Sequence, residues 1–258
     1  PDTNNVVTLE NLTVPKDSSM APRPVLGLSV RGNYDYIDGA VTNNNLTIGE
    51  DIAISPLYED TANLIERLGS ALGMTDRRIV VLTDADLQAG KAAGNSELSW
   101  LADSSATFKS AGALHYNVGH KMSVIVMKPP SLANKQVYLE NLAHEFGHAF
   151  EAHFSVKHFD TINNAFNAWL KKNKVAYKGS GINLEIQGII PFEAMLQHRA
   201  VMSQNQMVKW VDDYMAGDMG LYLKNEKALH NWMADYSEFF AENFAKWAFS
   251  DKVPTDIL

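Results

Sequence analysis

The apolar residues of this chain change their spacing along its length, and that change divides it. Leu57, Ala62, Leu64, Ile65, Leu68 and Leu72 recur at near-helical intervals, which predicts a helix over roughly 57–74. Arg77 to Thr83 (RRIVVLT) is a short β-rich run. Ala113 to Tyr116 and Met122 to Met127 flank a turn at Asn117-Val118-Gly119, the pattern of a hairpin. The run from Ser123 to Met127 ends at Pro129-Pro130, which cannot continue a strand ladder. Beyond the prolines the period becomes helical. Helices are predicted over about 136–154, 160–172, 191–215 and 226–249, with a loop at Gly179 to Gly188.

The pattern predicts an α+β fold, with a small mixed sheet in the N-terminal half and a mainly helical C-terminal half. Residues 1–22, rich in Asn, Thr, Ser, Pro and Asp, read as a lead-in. Residues 23–258 read as a single domain, with an α/β subdomain over 23–135 and a helical one over 136–258. No internal repeat or low-complexity segment interrupts it.

Composition narrows the function. The chain has 258 residues, 46% of them hydrophobic and 20% charged, enough to bury a sizeable core. Its net charge of −8 argues against nucleic acid as the main partner, because phosphate binding needs a basic patch. Lys171-Lys172 and the pair Lys174 and Lys178 read as solvated surface. With no cysteine there is no thiolate nucleophile and no Cys-ligated metal. No run reaches the length of a membrane span. The first residue is Pro1 rather than Met, compatible with removal of an upstream segment. The Asn-x-Thr triplets at Asn11 and Asn45 carry no weight.

The chemistry lies in the run His144-Glu145-Phe146-Gly147-His148. On a helix the two histidines sit about 40° apart around the axis, so both imidazoles can reach one metal ion. Glu145 can face a water held on that ion and take its proton, because zinc lowers the water's pKa towards about 7. Leu139, Leu142, Ala143, Phe146 and Phe150 form an apolar stripe. Asn141, His144, His148 and Glu151 fall opposite, facing a cleft. Gly147, a poor helix residue, suggests a close backbone approach. Ser123 to Met127 is the candidate edge strand for pairing with extended substrate.

A catalytic zinc takes three protein ligands and keeps one open position. Phe154 stands where a third histidine of the HExxHxxGxxH pattern would fall. His153 is about 140° from His148 and points elsewhere. Glu238 is the better candidate: in Asp235 to Phe244, Glu238 and Glu242 share one side, and Trp232, Tyr236, Phe240 and Trp247 gather on the other. Glu242 and Glu151 read either as acceptors that orient a ligand histidine or as surface acids, and Glu151 alternatively as a substrate contact. His115, His120, His158 and His198 lack ligand spacing and read as structural.

HEFGHAFE followed by SEFFAENF resembles the catalytic domain of anthrax lethal factor and its relatives, including the Pro-Pro endopeptidases. The resemblance covers two short segments of the chain. It implies an HExxH zincin fold with one Zn²⁺ per chain, held by His144, His148 and Glu238, and with Glu145 as general base. It implies a protein or peptide substrate and a bacterial toxin, effector or secreted protease. Two departures stand out. A Tyr seven residues before the ligand Glu is replaced by Asn231, leaving His230, Tyr222 or Tyr236 as substitutes; His230 is taken as the catalytic candidate. The spacing from His148 to Glu238 is also far longer than in lethal factor; at a lethal-factor-like spacing sits Glu193, the alternative ligand that the resemblance implies. Hydrolysis of peptidoglycan crosslinks, or a zinc-stabilised binding module with a vestigial site, are the alternative functions.

Overall fold

Three consecutive apolar positions need a neighbour on each side, and the central strands find one. The computed structural model describes residues 41–43, 46–74, 77–94, 96–104, 112–118, 122–188, 194 and 236–249. The lead-in over 1–22 and the helix expected over 191–215, apart from Ala194, lie outside the described residues. By compactness the chain divides into two units, Pro1–Ala149 and Phe150–Leu258. The architecture is mixed α+β, with the sheet in the N-terminal half and helices dominating the C-terminal half.

In the first unit the elements run β1 (Val41–Asn43), β2 (Leu46–Ile48), α1 (Glu50–Ala53), α2 (Tyr58–Ala71), β3 (Arg78–Thr83), α3 (Asp84–Ala92), α4 (Ser96–Ser104), β4 (Ala113–Val118), β5 (Met122–Met127) and α5 (Lys135–Glu151). The strands form one sheet in the order β1-β2-β3-β5-β4. β3 is parallel to β2 and β5, whereas β1 and β4 add antiparallel strands at the two edges. The hairpin expected from residues 113–127 is therefore present.

The edge strand expected at Ser123 to Met127 is not at the edge. β5 pairs with β3 on one side and β4 on the other, so β4 is the outer strand. The residues from Ser123 to Met127 are all buried, which is what an unbroken apolar run demands. β4 carries the mixed polar pattern of a half-exposed edge.

Alternation assigns the faces. Val80, Leu82, Leu114, Tyr116, Val118, Met122, Val124 and Val126 pack against Leu87, Leu98, Leu101 and Ala102 of α3 and α4. The opposite face of β4 carries His115, whose ring lies against His148 of α5. Thr83 caps α3 with a capping box, accepting from the Asp86 amide while the Asp86 carboxylate accepts from Thr83 N. The same carboxylate takes the Asp51 amide at the start of α1 (3.3 Å), and Gly49 leaves it room: a Cβ there would fall 2.2 Å from Asp86 Oδ2.

In the second unit α6 (Val156–Lys172) is followed by a small hairpin of β6 (Tyr177–Lys178) and β7 (Glu185–Ile186), the second strand falling inside the loop expected at Gly179 to Gly188. Gly179 makes its turn with φ +75°, where a Cβ would strike the Asn183 carbonyl. α7 (Tyr236–Ala248) packs through Phe239 against Phe166, Leu170, Val175 and Ala194. Phe150 and Phe154 meet Phe240, and Phe150 also meets Phe244. No helix among the described residues is long and apolar enough to cross a membrane.

Candidate metal centre

The helix that carries HEFGH is buried on nearly every side. Tyr138, Leu139, Leu142, Ala143, Phe146 and Ala149 are buried, as the apolar stripe requires. His144, on the face expected to line a cleft, is buried at 8% exposure and Glu145 at 7%, while Asn141, His148 and Glu151 of that face are half-buried. Polar groups are placed in such surroundings only with partners, because an unsatisfied one costs about 1–3 kcal/mol. Ser131 begins the entry to α5 with a backbone amide donated to Asn134 Oδ1, right after the two prolines.

His144 and His148 present their Nε2 atoms to each other at 3.2 Å, with rings 4.9 Å apart and nearly perpendicular. Two nitrogens bound to one tetrahedral zinc, each at about 2.0–2.1 Å, stand about 3.3 Å apart. The dyad therefore already has the nitrogen spacing of a shared cation. Glu145 lies near β4: after burial, its charge is the second cause that raises the Tyr116 phenol above its ordinary value.

Glu238 sits in the first turn of α7, half-buried, where a carboxylate also favours the helix dipole. The donor atoms of His144, His148 and Glu238 all lie within 4.8 Å of one another, and this group can hold a metal ion. Two neutral imidazoles and one carboxylate suit zinc and other borderline divalent cations. Glu242 is buried at 3% exposure on the same helix. Glu151, the last residue of α5, accepts a hydrogen bond from Ser237 Oγ at 2.6 Å.

His230 and its alternative Tyr222, together with Asn231 and Glu193, lie outside the described residues, as do His120 and His198. Tyr236 is half-buried, with its ring edge-on to Phe159 at 5.9 Å, within the aromatic core of the second unit. His153 is exposed past the end of α5, and His158 caps α6 by accepting from Ser155 N.

His115, which lacks ligand spacing, stands beside the dyad. Its ring stacks on His148 with centroids 6.2 Å apart and planes 20° from parallel. Burial first, then the charges of His148 and Arg77, hold it down to about 3, so it is neutral at physiological pH. Arg77, itself buried, is fixed by Ser123 Oγ, the Met122 carbonyl and the Asn117 side chain. No spacing rule finds His115, because it reaches the helix only through the β4–β5 register.

Comparisons of the chain with family profiles, with curated proteins and with solved structures give no match.

Proposed function

We propose that the chain is a zinc-dependent endopeptidase. The observation that carries this reading is the gathering of His144, His148 and Glu238, with the carboxylate of Glu145 next in sequence to the first ligand. A purely structural zinc site has no use for that carboxylate. Zinc bound there would supply Lewis acidity, polarising the scissile carbonyl and easing deprotonation of water near neutral pH. His144 and His148 hold the cation from one turn of α5, and Glu238 closes the set from α7. Glu145 accepts the proton of the attacking water as its oxygen bonds to the carbonyl carbon. When the C–N bond breaks, the same carboxylate returns the proton to the departing amine nitrogen. Extended substrate backbone pairs with β4, the outer strand of the sheet among the described residues, which carries His115 and Tyr116. By its resemblance to lethal factor and the Pro-Pro endopeptidases, the chain acts as an exported bacterial effector or secreted protease on a protein substrate.

Metal analysis of the purified chain should find about one zinc per molecule. Glu145→Ala should keep the metal and lose cleavage of a peptide library read by mass spectrometry. Equal proteolysis by this variant and the parent would remove the general base. Glu238→Ala should weaken zinc binding far more than Glu193→Ala, and the reverse order moves the third ligand to Glu193.

A further inference from the structure

Two imidazoles one turn apart are aligned by their own helix, but a third ligand some 90 positions later needs something to bring it in. A direct bond between the two helices can perform this service. Ser237, immediately before Glu238, donates its hydroxyl to Glu151 Oε2 at 2.6 Å, across 86 positions of sequence. That length falls in the range of about 2.5–2.7 Å for a hydroxyl bonded to an ionised carboxylate, the stronger kind of hydrogen bond. Both residues are half-buried, which limits competition from water. Glu151 follows His148 by three residues on the same continuous helix, a rise of about 4.5 Å.

We propose that Ser237 and Glu151 form a latch that positions Glu238 for the metal, with Glu151 acting as a positioning residue and not as a ligand or substrate contact. The proposal rests on the metal centre described above. The bond fastens the first turn of α7 to the last residue of α5, one position from the Glu238 ligand and three from the His148 ligand. The aromatic packing of Phe240 and Phe244 on Phe150 fixes how α7 lies along its length. Rings of that kind tolerate small slides, whereas a 2.6 Å hydroxyl–carboxylate bond does not. The latch therefore sets the axial position of the carboxylate.

The test uses the full chain and zinc alone, with affinity measured by chelator competition. Ser237→Ala should weaken zinc binding by about 10–100-fold, the usual effect of removing a group that orients a ligand. Ser237→Thr, which keeps the hydroxyl, should restore it. Glu151→Ala should match Ser237→Ala, and the double variant should be no worse than either, because both remove the same bond. With cobalt in place of zinc, the visible spectrum of Ser237→Ala should change, reporting altered coordination that a loss of stability alone would not produce. Wild-type zinc affinity in Ser237→Ala, alongside a loss in Glu238→Ala, overturns the latch and leaves the metal centre standing. A drop in metal-free stability with zinc affinity intact overturns it equally. Unchanged binding in Glu238→Ala removes the three-ligand centre and the latch together.

Discussion

Phe166 is far from any ligand in sequence, yet its removal should be felt at the metal. It is 1% exposed in the core that seats α7, with its ring 5.2 Å from Phe239 and 6.2 Å from Trp169. Phe239 is the residue after Glu238. Truncation in Phe166→Ala removes both ring contacts and opens a cavity that aromatic neighbours cannot fully close. Such changes cost about 3–5 kcal/mol, a large share of the roughly 5–15 kcal/mol that holds a domain together. The loss falls on the docked state of α7. A centre that needs Glu238 binds zinc more weakly in proportion to the docked fraction. Every 1.4 kcal/mol of undocking beyond balance weakens the apparent affinity about tenfold. The control is Leu98→Ala, a fully buried position in the core beside α3 and α4, where the cost is about 2–5 kcal/mol. Denaturant unfolding in excess chelator measures the two losses without linkage from bound metal. Chelator competition then measures zinc affinity in each. Phe166→Ala should weaken zinc more than Leu98→Ala does, by about tenfold for each 1.4 kcal/mol by which the loss exceeds the docking free energy of α7, and Leu98→Ala should leave it near wild type. If both variants lose stability but hold zinc equally well, the aromatic core does not position a ligand and the argument fails.

Two further predictions concern the first unit. His115 has a folded value of about 3 against an ordinary 6.5, so the unfolded chain binds the extra proton between those values. Stability of the metal-free protein should therefore be complete above pH 6.5. It should fall as the pH drops towards 3, with a limiting slope of about 1.4 kcal/mol per pH unit from this group. His115→Phe should flatten that limb, and an imidazole resonance of His115 that titrates near pH 6 would refute it. Gly49→Ala should destabilise by about 2–4 kcal/mol, because a Cβ 2.2 Å from Asp86 Oδ2 displaces a carboxylate bonded to three donors. Gly49 has an ordinary φ of −63°, so the cost is steric rather than conformational. Chemical denaturation of Gly49→Ala at wild-type stability would show that the carboxylate can swing aside freely.

The readable parts of the molecule were those with a period. The α5 helix follows from its apolar stripe and the two histidines from their four-residue interval, and α7 follows from its aromatic repeat. The depth of His144 did not follow: it is buried while Asn141, His148 and Glu151 of the same face are half-buried, because spacing gives the face of a helix and not how far each residue on it sits from solvent. The interior place of β5 was legible in its unbroken apolar run, but the expectation of a substrate-pairing strand beside the cleft put it at an edge. His115 and Ser237 were invisible for a different reason. A histidine on a strand and a serine at a helix start matter only through pairings across the fold, His115 through its register opposite Ile125 and Ser237 through a bond to a residue 86 positions away. The four-residue α1 and its bond to Asp86 are likewise tertiary, since so short a helix has no period to detect.

The knot of Gly49, Asp51, Thr83 and Asp86 binds the ends of β2 and β3 to the starts of α1 and α3. Its members constrain one another during sequence drift. While the carboxylate remains at 86, position 49 accepts no side chain. Once 86 becomes small, 49 is released, and the hydroxyl at 83 loses one of its two carboxylate partners. Related chains should therefore change these positions jointly, which makes the quartet a marker of shared descent independent of the histidine motif.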